Sequence, residues 1–334
     1  MKILVTGGAG YIGSTTAKAL EAAGHTPIIL DSLLNGPKAF VRDRIFYEGD
    51  IADRDLLTRI VQEHPDIDCT IHMAARIVVP ESVEQPYEYY RDNVAKSLEL
   101  YDQLVKLGKP RVLFSSSASL YATVEGFEVD ETAPLDPPSP YARTKHMMEQ
   151  MLTDIAAATE LRAVILRYFN PIGSDPDLES GVYAREPSHV VGQLVMAAQG
   201  QKDAFTITGV DHPTRDGTGI RDYIHVWDLA LAHVAAVEGF DKVLEKVGAP
   251  STIINVGTGD GVTVRELVTA FENVFGKPVP LKEAGPRPGD AVGAFANVDK
   301  ARDVLGWTSS LTIEDGIDSA LAWSRKRREI LGYE

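Results

Sequence analysis

The sequence predicts an α/β protein built on a doubly wound parallel sheet, with a smaller α/β domain towards the C-terminus. Three observations lead to this fold class. Short apolar β runs alternate with helical patterns through the first half of the chain. A glycine-rich turn follows the first of these runs and opens the first helix. The 334 residues are 44% hydrophobic and 24% charged, the composition of a globular protein with a sizeable core.

The predicted elements of the first half follow one another in a regular order. Strands are predicted at Lys2–Thr6, Thr26–Asp31, Ile45–Asp50, Cys69–His72, Arg111–Ser115 and Arg162–Tyr168. Helices are predicted at Ser14–Ala23, Asp55–Glu63, Val94–Leu107 and Tyr141–Thr159. Strands separated by helices form parallel βαβ units, and right-handed crossovers place helices on both faces of the sheet.

The alternation breaks near Asn170, where a stretch rich in Gly, Pro, Asp and Ser extends to about Pro187. A strand at Tyr223–Val226 and a helix at Leu229–Val237 are expected to rejoin the first unit. The smaller α/β part is expected to be completed by Ile253–Val256, Val264–Val274 and Ile313–Lys326. We therefore expect a first domain over residues 1–170, which residues 222–250 rejoin, and a second domain over residues 171–334.

Charge and composition exclude several classes of function. With 33 basic and 48 acidic residues the net charge is −15, so a nucleic-acid partner would be repelled and is not expected. The single cysteine, Cys69, cannot form an intrachain disulfide, which favours a reducing compartment. No apolar run reaches the roughly 18 residues of a membrane span, and the histidines show no metal-binding spacing. We expect a cytoplasmic protein without a membrane span or a metal site.

The glycine-rich turn at residues 7–13 (GGAGYIG) is a candidate dinucleotide site. Glycine lets the backbone turn tightly and approach phosphate oxygens, and the following helix N-terminus offers free N–H groups to a pyrophosphate. Asp31 ends the second strand, where a carboxylate accepts hydrogen bonds from a ribose 2′-hydroxyl and repels a 2′-phosphate. NAD is therefore favoured over NADP. Asp50 and Ile51, after the third strand, are expected to reach the adenine.

A tyrosine and a lysine on one predicted helix form the second candidate site. Ser139 suits the N-cap and Pro140 the first turn, and Tyr141 and Lys145 are four residues apart on one face. An ammonium beside a phenol favours the phenolate, so we expect a lowered tyrosine pKa. This spacing is common by chance. Its combination with hydroxyls at Ser115–Ser117, the end of the fifth strand, makes it specific.

The chain resembles the extended short-chain dehydrogenases/reductases, and most closely the NAD-dependent UDP-glucose (UDP-galactose) 4-epimerases. The resemblance covers essentially all of the chain. The motifs that carry it are GGAGYIG (7–13), HMAA (72–75), ESVEQPYEYYRDNV (81–94), FSSSASLY (114–121), SPYARTK (139–145), LRYFNPIG (166–173) and DGTGIRDYIHVWDLA (216–230).

The resemblance implies a Rossmann fold and a role for each catalytic residue. Tyr141 would be the general base on the sugar 4-hydroxyl, Lys145 would lower its pKa and hold the nicotinamide ribose, and Ser117 would bridge to O4. Hydride from C4 would pass to bound NAD⁺ and leave a 4-keto sugar. That sugar would rotate and take the hydride back on its other face, so the reaction is redox-neutral.

The resemblance also implies the binding residues. Cofactor contacts are expected at Gly7, Gly10, Tyr11, Ile12, Gly13, Asp31, Asn35, Asp50, Ile51, Met73, Ala74, Ala75, Asn93, Ser115, Tyr141, Lys145 and Tyr168. Contacts with a UDP-sugar are expected at Ser117, Tyr141, Phe169, Asn170, His189, Val190, Thr206, Ile207, Arg221, Arg287 and Asp290. The two arginines suit a pyrophosphate because a guanidinium binds phosphate bidentately.

Three positions depart from the pattern of many relatives and two arginines have no assigned role, which leaves the substrate open. Ile77 replaces a lysine and His189 an asparagine. Ala294 stands where some epimerases have a bulky aromatic residue, so an N-acetyl group at C2 could fit. Arg76 and Arg185 have no assigned role and could meet a uronate. The alternatives are therefore a 4-epimerase of UDP-N-acetylhexosamine or UDP-glucuronate.

Two further classes of function are compatible with a dinucleotide-binding fold. Related 4,6-dehydratases carry an Asp-Glu pair after the active-site hydroxyl residue, whereas Ala118 and Ser119 follow Ser117. A non-catalytic dinucleotide sensor would keep the glycine turn but tend to lose the Tyr/Lys pair.

Family members usually pair through two helices per subunit, so we expect a homodimer formed through Leu98–Leu107 and Met147–Ile155.

Overall fold

The computed structural model describes residues 1–285 and 292–333. Its strands are β1 (Lys2–Thr6), β2 (Thr26–Asp31), β3 (Ile45–Glu48), β4 (Ile67–His72), β5 (Arg111–Ser117), β6 (Glu128–Val129), β7 (Arg162–Tyr168), β8 (Asn170–Ile172), β9 (Phe205–Thr208), β10 (Ile220–Arg221), β11 (Tyr223–His225), β12 (Ser251–Val256), β13 (Val262–Thr263), β14 (Leu281–Ala284) and β15 (Gly293–Ala296). Its α-helices are α1 (Tyr11–Ala22), α2 (Arg54–Glu63), α3 (Val79–Glu84), α4 (Pro86–Tyr89), α5 (Lys96–Lys106), α6 (Pro140–Ala158), α7 (Val190–Ala198), α8 (Val226–Glu238), α9 (Phe240–Val247), α10 (Val264–Phe275) and α11 (Ile313–Leu331).

Within the described residues, seven parallel strands form the main sheet in the order β12-β7-β5-β4-β1-β2-β3. The chain starts at β1, runs to one edge through β2 and β3, and continues from β4 on the other side of β1. The strand order therefore reverses between β1 and β4, and ligands bind beyond the carboxyl ends of the strands at such a point. This architecture confirms the predicted doubly wound sheet.

Alternate residues of β1 face two different layers of helices. Ile3 and Val5 lie in a core with residues of α1, α8 and α9, whereas Leu4 lies in a core with residues of α2, α5 and α6. All three side chains are fully buried. A central parallel strand covered on both faces explains why this run is continuously apolar.

The strand predicted at Ile253–Val256 lies in a different sheet from the one expected. We expected it in the smaller α/β part, but β12 pairs with β7 along its whole length and forms an edge of the main sheet. Ile254 and Val256 are fully buried in the core below α8 and α9. The expectation was wrong because an apolar run indicates burial, whereas its pairing depends on where the chain returns after a long excursion.

The helix expected at Leu229–Val237 lies within α8, which packs against α1 on the main sheet. The preceding strand β11 pairs with β8 outside that sheet. Residues of α7, β9, α10 and α11 share a separate core, and β13, β10, β15 and β6 form a small mixed sheet.

The domain boundary at residue 170 stays a prediction. None of the helices in the described part of the chain is long and apolar enough to span a membrane.

Candidate active site

The turn between β1 and α1 is packed so tightly that its glycines leave no room for a side chain. Gly7 has a φ of 75°, and a Cβ built on it would lie 2.7 Å from the nitrogen of Ala74. A Cβ on Gly13 would lie 2.2 Å from the Gly7 oxygen. Helix α1 begins after Gly10 without a side-chain cap, so its first N–H groups point to the strand ends. These features fit the pyrophosphate of a dinucleotide.

Asp31 stands at the end of β2, beside this turn. One carboxylate oxygen accepts a hydrogen bond from the Ala9 amide (2.9 Å) and the other accepts one from the Leu33 amide (2.8 Å). Burial raises the pKa of Asp31, and the two amide bonds oppose this effect. The carboxylate is thus held in a fixed orientation, and each oxygen keeps a lone pair that a ribose diol could use.

The residues expected near an adenine lie around the ends of β2 and β3. The Asp50 carboxylate accepts hydrogen bonds from the Ala52 amide (2.9 Å) and from Lys96 Nζ (2.6 Å). Ile51 is buried and Asn35 is exposed. Asp50 is therefore tied to helix α5, while Ile51 supplies an apolar surface.

The segment after β4 is fixed by Asn93. The Asn93 amide group accepts a hydrogen bond from the Arg76 backbone N–H (2.7 Å) and donates to the Arg76 carbonyl (3.0 Å) and to Thr144 Oγ1 (3.0 Å). Its side chain is fully buried. Asn93 therefore fixes the half-buried Met73, Ala74 and Ala75 against the first turns of α6. A direct contact between Asn93 and a cofactor stays a prediction.

Helix α6 carries the tyrosine and the lysine. Ser139 caps it by accepting a hydrogen bond from the Ala142 amide (3.2 Å), as predicted, and Pro140 occupies the first turn. The cap orients the first turn so that Tyr141 and Lys145 face the ends of β5 and β7. Tyr141 retains 8% exposure and Lys145 1%, so both polar groups lie in a nearly closed site.

The tyrosine and lysine do not interact in the way that we expected. Burial raises the pKa of Tyr141, and its hydrogen bond with Ser117 opposes the rise. Lys145 Nζ instead donates to the Ser115 carbonyl (2.8 Å) and lies 4.9 Å from the centre of the Phe114 ring. The expected lowering of the Tyr141 pKa by Lys145 is therefore not found: burial raises that pKa, and the group that opposes the rise is Ser117 rather than Lys145. Burial also lowers the pKa of Lys145 to about 7.

Of the three serines that end β5, only Ser117 faces Tyr141. Its hydroxyl donates to Ser119 Oγ (2.9 Å) and accepts from the Ser119 amide (3.2 Å). The Ser115 hydroxyl points the other way and bonds His233 Nε2 at 2.8 Å. Ser115 can therefore act on the site through its main-chain carbonyl. Tyr168, at the end of β7, is close enough to Tyr141 for each phenol to affect the other, and burial raises its pKa.

The predicted sugar-side residues lie next to the same strand ends. Phe169 stacks on Tyr121 with ring centres 6.5 Å apart, and the Asn170 side chain donates to the Asp222 carbonyl (3.2 Å). The carboxylate of Asp222 was not singled out from the sequence, yet it accepts bonds from the amides of Thr258, Gly259 and Ala296. The sequence feature that could have identified Asp222 was its place in the IRDYIH motif, next to Arg221.

His189 caps helix α7, which begins at Val190. Its Nδ1 accepts a hydrogen bond from the Gly192 amide (3.2 Å), and its buried Nε2 has no hydrogen-bond partner among the described residues. Burial lowers the pKa of His189 to about 4. The ring is therefore neutral near pH 7, and its Nε2–H is a donor. Thr206 and Ile207 lie in β9, with Ile207 buried.

The predicted phosphate-binding arginines differ in what can be described. Arg221 Nη1 donates to the carbonyls of Ile220 (2.7 Å) and Val292 (2.6 Å), which fixes the guanidinium beside β15. Arg287 and Asp290 lie outside the described residues.

A buried ion pair beneath the lysine was missed by sequence reasoning. Glu149 and Arg167, each 3% exposed at the side chain, form an ion pair at 2.7 Å. Arg167 comes from β7, so the pair links that strand to α6. The spacing of Tyr141, Lys145 and Glu149 by four residues was a usable signal, since it places all three on one helix face.

The unassigned cations have partners of their own. Arg76 donates to Asp92 (2.7 Å) and Glu81 (3.1 Å), so its charge is already balanced. The guanidinium of Arg185 lies 4.7 Å from the ring centre of Tyr333, near the C-terminus. Neither arrangement favours a uronate. Ile77, which replaces a lysine of many relatives, is 59% exposed.

An open sheet with a glycine-rich turn and a strand-end carboxylate at its switch point, together with a buried Tyr/Lys pair, is typical of dinucleotide-dependent enzymes of the Rossmann class. The model of the NAD dependent epimerase/dehydratase family matches residues 3–257. The chain belongs to this family.

Characterised relatives cover nearly the whole chain. A UDP-glucose 4-epimerase of Azospirillum brasilense is 42% identical over 333 residues, which are 99% of this chain and 94% of that protein. The Bacillus subtilis UDP-glucose 4-epimerase is 40% identical over 100% of this chain and 99% of its own.

Solved structures agree. The Stenotrophomonas maltophila UDP-glucose 4-epimerase with bound NAD and formylated UDP-arabinopyranose has a TM-score of 0.92 and 36% identity, covering 98% of this chain and 99% of that one. The Brucella ovis UDP-glucose 4-epimerase with NAD has a TM-score of 0.89 and 39% identity, covering 96% and 97%. These findings confirm the resemblance, the fold class, NAD as the cofactor and an NAD-dependent epimerase.

Proposed function

We propose that this chain inverts C4 of UDP-glucose and UDP-galactose through a transient 4-keto sugar, with NAD held throughout. The observation that carries the proposal is that the hydrogen-bonded Tyr141–Ser117 pair and the buried Lys145 lie at the same sheet edge as the Gly7 cradle. A sugar carbon and a nicotinamide ring could therefore meet there.

NAD would be held by the glycine turn and the strand ends around it. The N-terminus of α1 would receive the pyrophosphate, Asp31 the adenosine ribose, and Asp50 and Ile51 the adenine. Lys145 would meet the nicotinamide ribose. When bound, NAD supplies the site that accepts a hydride and returns it.

The chain's own residues would handle the proton and the orientation of the sugar. Tyr141 Oη would accept the proton of the 4-hydroxyl, and the Ser117 hydroxyl would hold O4 in line with it. Because burial raises the Tyr141 pKa, a positive charge is needed to favour the phenolate, and we propose that Lys145 provides it. The burial of Tyr141 and Lys145 would help to keep water from the keto sugar.

The nucleotide would be bound by groups from the second half of the chain. His189 offers a neutral Nε2–H donor, and Arg221 a guanidinium suited to phosphate oxygens. Asn170 and Phe169 would line the sugar, and Thr206 and Ile207 the uridine. Val190, Arg287 and Asp290 are proposed contacts on the strength of the resemblance.

One observation supports a broader substrate range. Ala294 in β15 packs with Phe169 in a small apolar cluster, where a methyl group leaves more room than an aromatic ring. The solved UDP-Glc/GlcNAc 4-epimerase of Campylobacter jejuni is 33% identical with a TM-score of 0.82. We therefore include UDP-N-acetylhexosamines as a second candidate substrate class.

We propose a cytoplasmic homodimer formed through α5 and α6. Leu98 is 44% and Met147 39% exposed, and these two helices pack side by side. Sedimentation velocity should give a dimer for the wild type and a monomer for Leu98→Glu/Met147→Glu. A monomeric wild type would refute the proposal.

The function is tested by a turnover panel on purified protein. UDP-galactose, UDP-N-acetylglucosamine and UDP-glucuronate are each incubated with the enzyme, and the C4 configuration of the product is read by NMR. We expect inversion of the first and a slower inversion of the second. Absence of inversion with all three, in protein that contains NAD, would contradict the proposal.

A further inference from the structure

A buried chain of polar side chains runs beneath the proposed catalytic lysine. The Ser116 hydroxyl donates to Glu149 Oε1 at 2.5 Å. Arg167 donates through Nε to the same oxygen (2.9 Å) and through Nη2 to Oε2 (2.7 Å). Arg167 Nη1 also donates to Tyr121 Oη (3.1 Å). Both carboxylate oxygens of Glu149 thus accept hydrogen bonds, and the donors come from two strands.

This series of hydrogen-bonded side chains links helix α6 to the strands β5, β7 and β12. Ser116 precedes Ser117 in β5, and Arg167 precedes Tyr168 in β7. The Tyr121 hydroxyl donates in turn to Asn255 Oδ1 (2.7 Å) in β12. Glu149 therefore joins α6 to β5 and β7, and through Arg167 and Tyr121 it is linked to β12.

The charge of Glu149 acts on Lys145, which lies one helical turn before it. Burial lowers the pKa of Lys145, and the carboxylate of Glu149 opposes that effect. The groups that face the two side chains are the Ser115 carbonyl, the Phe114 ring, neutral His72, the Ser116 hydroxyl, Tyr101 and Arg167. Among these described neighbours, Glu149 alone carries a negative charge, and it opposes the effect of burial on the ammonium although it is also paired with Arg167.

We propose that Glu149, held by the guanidinium fork of Arg167, is a positioning residue that keeps Lys145 charged and fixes the Ser117 end of β5 against α6. The inference rests on the proposed function, in which Lys145 acts as a cation beside Tyr141. An arginine is required because its planar fork meets both carboxylate oxygens and still reaches Tyr121, which a lysine ammonium cannot do. The structure therefore assigns Arg167 a role in holding Glu149.

The test compares Glu149→Gln with Glu149→Asp in the full-length, NAD-loaded enzyme. Glu149→Gln keeps the shape and loses the charge, so Lys145 should release its proton at lower pH. We expect the alkaline limb of the kcat profile for UDP-galactose to move down by about one pH unit, which corresponds to an interaction of about 1.4 kcal/mol. Glu149→Asp keeps the charge, so its limb should stay in place while kcat falls through poorer geometry.

A second readout does not depend on turnover. A lysine whose folded pKa is lowered binds fewer protons in the folded than in the unfolded state, so stability rises with pH above the folded pKa. For the wild type this rise should begin near pH 7, and for Glu149→Gln it should begin lower. Urea unfolding across about pH 6–10 measures it.

The outcomes separate the two proposals. Absent turnover in the wild type overturns the proposed function, whereas a Glu149→Gln variant with the wild-type alkaline limb and the wild-type stability rise overturns the present inference. If Glu149→Gln does not fold, the Glu149→Asp variant decides. An alkaline limb of its kcat–pH profile at the wild-type position, with a reduced kcat, supports the inference. A displaced alkaline limb contradicts it.

Discussion

Lys145 Nζ donates a 2.8 Å hydrogen bond to the carbonyl oxygen of Ser115, while the Ser115 hydroxyl bonds His233 on the opposite side of the strand. The same residue of β5 thus anchors α6 through its main chain and α8 through its side chain. This arrangement fixes the ammonium at the strand end rather than at the Tyr141 hydroxyl. In our proposal the charge of Lys145 acts on Tyr141 from this strand end, without a direct hydrogen bond.

Lys145→Met should lower kcat by a factor of about 100 or more, because it removes the cation that favours the phenolate while keeping the length of the side chain. Steady-state kinetics with UDP-galactose measure the effect. Lys109→Met is the matched control, since Lys109 Nζ also donates to a main-chain carbonyl, that of Ile67 (3.0 Å), but at the other end of the sheet. Equal effects of the two substitutions would remove Lys145 from its role.

Asp31→Asn should weaken NAD binding by about 10- to 100-fold, because hydrogen bonds to a charged acceptor are replaced by weaker ones. It should also reduce the discrimination against NADP, since a negative charge facing the 2′-phosphate is lost. Calorimetric titration of cofactor-stripped protein measures both. The surface carboxylate Asp66, paired with Lys2, provides the control Asp66→Asn. Unchanged affinity for both cofactors would show that Asp31 does not meet the ribose.

Ala294→Tyr should reduce turnover of UDP-N-acetylglucosamine much more than that of UDP-galactose, because the ring would fill the space left beside Phe169. The ratio of the two kcat/KM values is the measured quantity. Ala133→Tyr, in the same apolar cluster, controls for general disturbance of its packing. An equal loss for both sugars would refute the pocket argument.

The stability of the protein should fall as the pH drops below about 6.5 because three histidines are held neutral. Burial lowers the pKa of His72 to about 3 and those of His189 and His233 to about 4. The unfolded chain binds protons first, so stability is lost from the ordinary histidine pKa downwards. Each group contributes about 1.4 kcal/mol per pH unit.

Urea unfolding between about pH 7 and pH 5 measures this slope. His233 bonds Ser115 Oγ and the Leu229 carbonyl, so His233→Gln retains polar contacts and should reduce the slope by about one proton. A stability that does not change over this range would contradict the burial of these rings.

The sequence predicted most of the main sheet because each βα unit carries its own local pattern. Apolar runs and a helix cap at Ser139 are short-range signals, and both are confirmed. The partner of β12 could not be predicted, since it depends on the path of the chain between Tyr168 and Ser251. The helix expected from Val94 begins earlier in a π-helical turn at Tyr90–Ala95, which directs Asn93 inwards and has no simple sequence signature.

The sequence predicted which residues form the candidate site better than it predicted how those residues interact. Tyr141, Lys145 and Ser117 lie together as expected, because their motifs end neighbouring strands or open the next helix. The direction of the Tyr141 pKa was wrong, since burial is a property of the packed structure. Arg167 was missed because its partner is known only once β7 is placed beside α6, whereas Glu149 could have been noticed from its four-residue spacing after Lys145.

The substitution Tyr141→Phe tests the central claim most directly, because it removes only the proton acceptor. The measurement is the rate of C4 inversion of UDP-galactose, with the NAD content of the same sample determined after denaturation. Tyr47→Phe is the control. It removes a phenol hydroxyl on the edge strand β3 that is hydrogen-bonded to Glu63 and His64. The account predicts a rate lower by about 100- to 10,000-fold with the wild-type NAD content and an unaffected control. A Tyr141→Phe enzyme that keeps more than about a tenth of the wild-type rate would contradict it.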